Sequence, residues 1–155
     1  MKVEIRAIGR IKPGPERSLV DTYLERAGHH GRAIGLGPFS EREFDTRNLA
    51  GRTAETRALA DALPAGPVIA LDERGSAMDS REFSQLIARE RDGGARGMVF
   101  LIGGADGFDP DALPSPLRKL SLGSMVWPHK LVRVMLAEQL YRASALLAGA
   151  PYHRD

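Results

Sequence analysis

Three short segments hold the residues best able to do chemistry. Pro128-His129-Lys130-Leu131-Val132-Arg133 sets an imidazole and a guanidinium four positions apart, directly after Leu122-Gly-Ser-Met-Val-Trp127. That interval is about one helical turn, so His129 and Arg133 share a face if the segment is helical. A helix starting at Pro128 would hold His129 beside its first amides, where an anion such as phosphate is favoured. The plainer alternative is a solvent-facing His129 and an Arg133 paired with a carboxylate. Pro151-Tyr152-His153-Arg154-Asp155 combines an aromatic ring, an imidazole and a guanidinium, a set suited to stacking on a base and contacting phosphate. The third segment, Leu101-Ile-Gly-Gly-Ala-Asp-Gly107, runs an apolar stretch into glycines. Glycine lets a backbone approach a ligand closely, and it equally serves a tight turn.

What is missing narrows the chemistry. The chain has no Walker-type phosphate loop and no dinucleotide glycine fingerprint, and it lacks the metalloprotease and nucleophile-elbow patterns. With no cysteine among its 155 residues, thiol catalysis, Cys-ligated zinc and iron-sulfur clusters are excluded, and a reducing, cytoplasmic setting is expected. No metal site is expected from the spacing of His, Asp and Glu. The opening MKVEIRAIGRIKPG interleaves charge with apolar residues, so it reads as a strand rather than a signal segment. No run approaches 18 apolar residues, and no membrane association is expected. Net charge is only +2, yet residues 118–155 hold six Lys or Arg against two acidic residues. That asymmetry is compatible with a polyanionic partner and equally with a solvated basic helix face.

The elements that must position these segments alternate along the chain. A first strand carries Val3, Ile5 and Ala7, and a helix is expected over Glu16 to Ala27. A weak strand follows at Ala33 to Leu36, then an Ala-rich helix over Thr46 to Leu63. Pro67 to Leu71 reads as a strand buried on both faces, with Asp72 opening a polar loop. Asp79 and Glu82 have capping-box spacing ahead of Phe83, Leu86 and Ile87, an amphipathic stripe ending at Gly93-Gly94. Met98 to Ile102 and Lys119 to Val126 are the next strands. A long helix from Pro128 is stopped by Gly149 and Pro151, with Leu131, Met135, Leu136, Leu140 and Ala143 on its apolar face. The pattern predicts one α/β domain spanning 1–155, a mainly parallel sheet with helices on both faces. In such sheets ligands sit beyond the C-terminal strand ends, so the loops after Leu71, Ile102 and Val126 should meet.

LIGGADG at 101–107, SLGSMVWPHKLVRVMLAEQLYRA at 121–143 and PYHRD at 151–155 resemble the RlmH family of SPOUT-class methyltransferases. That family N3-methylates a pseudouridine in bacterial 23S ribosomal RNA. The likeness is specific in the C-terminal third and one of layout over the first 65 residues, whose role it leaves open. It implies a C-terminal trefoil knot, which ordinary connection rules would not predict. It also implies S-adenosyl-L-methionine (SAM) held at Leu71, Gly103, Leu122, Gly123, Ser124, Met125, Val126 and Trp127. A homodimer packed through the last helix and a ribosomal RNA substrate, taken on the 70S ribosome, complete the expectation. The N3 proton must leave, and either His129 or His153 is a candidate acceptor. Arg133 and Arg154 are candidates for stabilising the imide anion, and Tyr152 shapes the site. Lys119, Lys130, Arg133 and Arg142 are candidate phosphate contacts. The alternatives are a SPOUT enzyme with another RNA target, a non-catalytic SAM-binding ribosome-associated protein, and an ordinary α/β ligand-binding protein.

Overall fold

The computed structural model describes residues 1–151. Strand β1 (Lys2–Ile8) alternates as its sequence requires, with Val3, Ile5 and Ala7 facing one side of the sheet. Helix α1 (Pro15–Gly31) starts with proline in its first turn, where the missing N–H costs nothing, and runs one turn beyond the expected end. The expected strand at 33–36 is absent. Arg32–Ile34 form a 3-10 turn, and the strand is β2 (Phe39–Phe44) at the sheet edge. Helix α2 (Gly51–Ala60) is shorter than expected, because Thr46–Asn48 form a separate 3-10 turn capped by the Asp45 carboxylate.

Strand β3 (Val68–Ala77) runs past Leu71, where a loop was expected, but not as an unbroken ladder. Helix α3 (Ser80–Asp92) begins with the anticipated capping box, the Asp79 carboxylate accepting from Arg81 and Glu82 amides while Glu82 accepts from the Asp79 amide. Strand β4 (Gly97–Ile102) is buried along its whole length. Strand β5 (Arg118–Ser121) stops five residues short of Val126, and helix α4 (His129–Leu147) follows.

All strand pairs are parallel, in the order β2-β1-β4-β3-β5. Period-two alternation sends Val3, Ile5, Ile69, Met98 and Phe100 to one face, where Val20, Phe83, Ile87, Leu136 and Leu140 from α1, α3 and α4 cover them. α4 packs between α1 and α3. Ile8, Val68, Ala70, Val99 and Leu101 face the other way, against Leu59 of α2 and the stretch from Phe108 to Leu117. Each large apolar side chain so buried contributes about 1.5–3 kcal/mol. Buried Arg6 fastens α2 to the sheet by donating to the carbonyls of Leu59, Asp61 and Ala62 at the end of that helix. Those carbonyls have no partner within the helix.

At the β3–β5 boundary, Leu71 and Ser76 both face Leu120, so the residues between them bulge out of the ladder. A Cβ on Gly75 would stand 2.7 Å from the Lys119 carbonyl carbon and 2.8 Å from the Leu120 backbone. Backbone cannot step aside as a flexible side chain can, so Gly75→Ala is expected to destabilise the fold by about 1–3 kcal/mol. Urea unfolding checks this through a lowered midpoint; an unchanged midpoint would mean that the strands accommodate the methyl group.

Candidate active site

The regular ladders of three neighbouring strands stop at one level. Ala70 faces Leu101 of β4 on one side and Lys119 of β5 on the other, and Leu71 faces Leu120. Beyond these ends lie the β3 bulge, the glycine turn after Ile102 and the segment from Leu122 to Pro128. They enclose a cleft of about 490 Å³, inside the range of roughly 300–1,000 Å³ that small-molecule sites occupy. The sequence-based expectation that these loops converge is met.

Of the predicted site residues, Leu71, Gly103, Leu122, Gly123, Met125, Val126, Trp127 and His129 line this cleft. Ser124 lies in the same turn but is not among the lining residues. Arg133 does not line the cleft either. Its buried guanidinium turns to β2 and the loop after β1, with Nε 2.6 Å from Glu41, one terminal nitrogen 3.0 Å from Glu43, and the other donating to the Gly9 carbonyl at 3.0 Å. Although His129 and Arg133 are one turn apart, they therefore serve different surroundings. Arg142 is committed to Glu138 one turn earlier, at 2.6 Å, whereas Lys130 is exposed. Tyr152, His153 and Arg154 lie outside the described residues.

The turns have physical reasons for their composition. A Cβ on Gly103 would come within 3.3 Å of the Gly107 backbone and 3.4 Å of the Phe108 ring, because the turn folds back through a Gly104–Gly107 bridge. Gly123 has φ +121, a conformation side-chain-bearing residues rarely adopt. The Ser121 hydroxyl fixes that turn, accepting from the Gly123 amide and donating to the Gly123 carbonyl. Pro128 caps α4 without a side-chain oxygen, so the first-turn amides of α4 have no side-chain cap.

The sequence reading missed several cleft residues. Phe108 follows the glycine turn, Arg52 reaches over from α2, and Asp72, Glu73 and Arg74 come from the bulge. Asp72 had a signal, since it directly follows the buried strand; the others are brought in by tertiary packing. Lys119 pairs with Asp72 at 2.8 Å. Burial works to raise the Asp72 carboxyl, but the Lys119 ammonium and the Arg74 backbone N–H outweigh it and hold the carboxyl below the ordinary carboxylate value.

Residues 1–153 match the family described as "Predicted SPOUT methyltransferase", and the chain belongs to that family. A protein of Maricaulis maris called ribosomal RNA large subunit methyltransferase H is 58% identical to it over the full length of both chains. Proteins of the same name from Phenylobacterium zucineum and Dinoroseobacter shibae are each 52% identical, over 100% and 99% of both chains respectively. A solved structure of TrmJ from Z. mobilis ZM4 is 13% identical, with a TM-score of 0.45 over all of this chain and 72% of its own. No helix among the described residues is long and apolar enough to cross a membrane, and no cluster of three potential metal ligands occurs among them.

The Lys119 side chain is 42% exposed and that of Asp72 19%, so solvent screening limits the pair to about 1 kcal/mol or less. A depressed carboxyl stabilises the fold above its unfolded pKa of about 3.9 and loses that effect as pH falls through the lower folded value. The stability difference between wild type and Lys119→Met is therefore expected to be steady from about pH 5 to 7 and to vanish in stronger acid. Unfolding titrations across that range test it; a difference undiminished in strong acid would mean that Lys119 acts through packing alone.

Proposed function

We propose that the chain is a single SPOUT unit, knotted at its C-terminal end, that works in the cytoplasm as a homodimer. In this reading it transfers the methyl group of SAM to N3 of a pseudouridine in bacterial 23S ribosomal RNA on the assembled ribosome. One observation carries the reading: Leu71, Gly103, Leu122, Gly123, Met125, Val126 and Trp127, drawn from separate stretches of the sequence, line one strand-end cleft in a chain whose full-length relatives bear a methyltransferase name. The residues present fit such a donor. Apolar walls at Leu71, Ile102 and Leu122 suit an adenosine, glycine backbone allows close approach, and Asp72, Arg74 and Lys119 supply both charges for an amino-acid end. Ser124 belongs to the turn that shapes this wall.

The donor supplies an activated methyl group on a sulfonium, which leaves as the neutral thioether when the methyl–N3 bond forms. The protein has to orient the base and take the N3 proton. His129, at the cleft, and His153 are the proposed acceptors. Because Arg133 is held by Glu41 and Glu43, stabilising the imide anion falls to Arg154, with Tyr152 shaping the base pocket.

Reach supports the proposed dimer. α4 leaves the cleft at His129 and ends where Ala145 and Ala150 pack with Ala27 and Phe39. Phe39 faces Val3 at the beginning of β1, the opposite end of the sheet. The helix has 19 residues, about 28 Å at roughly 1.5 Å each. The four residues from Tyr152 to Asp155 extend at most about 14 Å whatever their path, so in this reading they complete the cleft of a second copy. Met125 and Val126 are 68% and 81% exposed, with Trp127 and Leu131 exposed beside them. This is apolar surface that a partner would cover.

Transfer of labelled methyl from SAM to ribosomes lacking large-subunit rRNA modification, followed by nucleoside analysis, tests the reading. N3-methylpseudouridine is the expected product; another labelled nucleoside overturns the target, and no label overturns the reaction. Arg154→Ala is expected to reduce transfer at least about tenfold, one lost transition-state contact, with SAM binding intact. Mixing Arg154→Ala chains with Gly103→Val chains should raise activity above that of either variant alone, whereas a mixture no more active than its parts would contradict the shared site.

A further inference from the structure

We propose that the loop Gly9–Gly14 between β1 and α1 is a built contact for the RNA backbone, with Arg10 and Lys12 as its cations. The proposal rests on the reading of the chain as acting on RNA. The loop leaves β1 against the glycine turn of the cleft: a Cβ placed on Gly104 would lie 3.3 Å from the Ile8 side chain. It is not held by local turns alone. The Gly9 amide donates to the Phe44 carbonyl at 2.8 Å, the Gly9 carbonyl accepts from Arg133 at 3.0 Å, and the Ile11 amide donates to Glu43 at 2.7 Å. Ile11 itself is buried in the main core.

Because Ile11 points inward, its two neighbours point out. The Arg10 side chain is 68% exposed, its nearest carboxylate being Asp45 at 3.6 Å. Asp45 is itself engaged by Arg47, whose guanidinium, with the Arg47 amide, holds that carboxyl at about 2. Lys12 is exposed and has no carboxylate partner among the described residues. Two outward cations thus stand on a backbone whose conformation is fixed before any ligand arrives, which lowers the entropic cost of binding.

The fixing device is a buried group of four charges. Arg17 and Arg133 both contact Glu41 and Glu43, and the Arg133 and Glu41 side chains are almost completely buried. Such a cluster is a poor way to gain stability, since apolar residues of the same volume usually do as well or better. It does, however, supply a donor for the Gly9 carbonyl and an acceptor for the Ile11 amide, which apolar residues cannot. Its geometric product is the loop. A polyanion fits this surface, and the flexible Lys12 and Arg10 heads suit phosphate rather than base edges.

The test uses full-length protein, bacterial ribosomes and a free 23S rRNA transcript. The double variant Arg10→Ala/Lys12→Ala is expected to raise KM for the ribosome about tenfold and to lower the slope of log affinity against log salt by about 1.5–2. Turnover number and SAM affinity should be unchanged. Arg32→Ala, an exposed cation at the far end of α1, is the control and should shift neither. An unchanged KM and slope in the double variant overturns the proposal, as does an equal shift in the control. A wild-type chain that binds RNA with these slopes yet methylates nothing removes the proposed reaction and leaves this contact standing.

Discussion

The cleft depends on how four residues of β5 pair with β3. Leu120 meets both Leu71 and Ser76, so the chain between them has to leave the ladder, carrying Asp72, Glu73 and Arg74 into the space above the strand ends. The same pairing fixes where β5 stops, and therefore where Leu122 to Trp127 cross the cleft. Gly75 permits the close backbone approach, and the Lys119–Asp72 pair spans the two strands beside it. Three segments well separated in sequence become one surface because parallel register leaves the ends of their ladders level.

A second constraint sets the helix that follows. α4 lies between α1 and α3 by apolar packing at Leu136, Ala137 and Leu140, while its first turns are held by Arg133 in the charge group with Arg17, Glu41 and Glu43. The apolar stripe read from the sequence is thus divided. Leu136, Leu140 and Ala143 are core, and Leu131 faces outward near the cleft. The edge strand β2, the loop after β1 and the helix lining the cleft are tied together through charge as well as through apolar contact at Ile11 and Phe39.

Much of this was legible in the sequence. β4 and the start of β3 are continuous apolar runs, the Asp79–Glu82 capping box announces α3, and Gly149 marks the end of α4. β2 was not legible, because FSEREF buries carboxylates against arginines from elsewhere, and charge within a strand reads as exposure. The stop of β5 at Ser121 was hidden because Met125 and Val126 are apolar yet exposed, so periodicity extended the strand through them. Helical spacing correctly put Arg133 one turn from His129, yet a one-turn offset on a helix wedged between two others was enough to send the two side chains to different neighbours. The cleft residues contributed by Leu71, Gly103 and 122–127 came from motif resemblance, whereas Arg52 and Phe108 needed the folded chain.

The central claim is that the strand-end cleft takes the methyl donor and that its turns are shaped for it. Calorimetric titration with SAM tests it most directly, comparing wild type with Gly123→Ala. No atom lies within 4 Å of the added methyl group, so the substitution acts through the strained φ of +121 and the turn it shapes. The account predicts one site per wild-type chain and about tenfold weaker binding in the variant, the order expected for 1–3 kcal/mol of backbone strain. Wild type without measurable SAM binding, or a folded variant that binds undiminished, would contradict it.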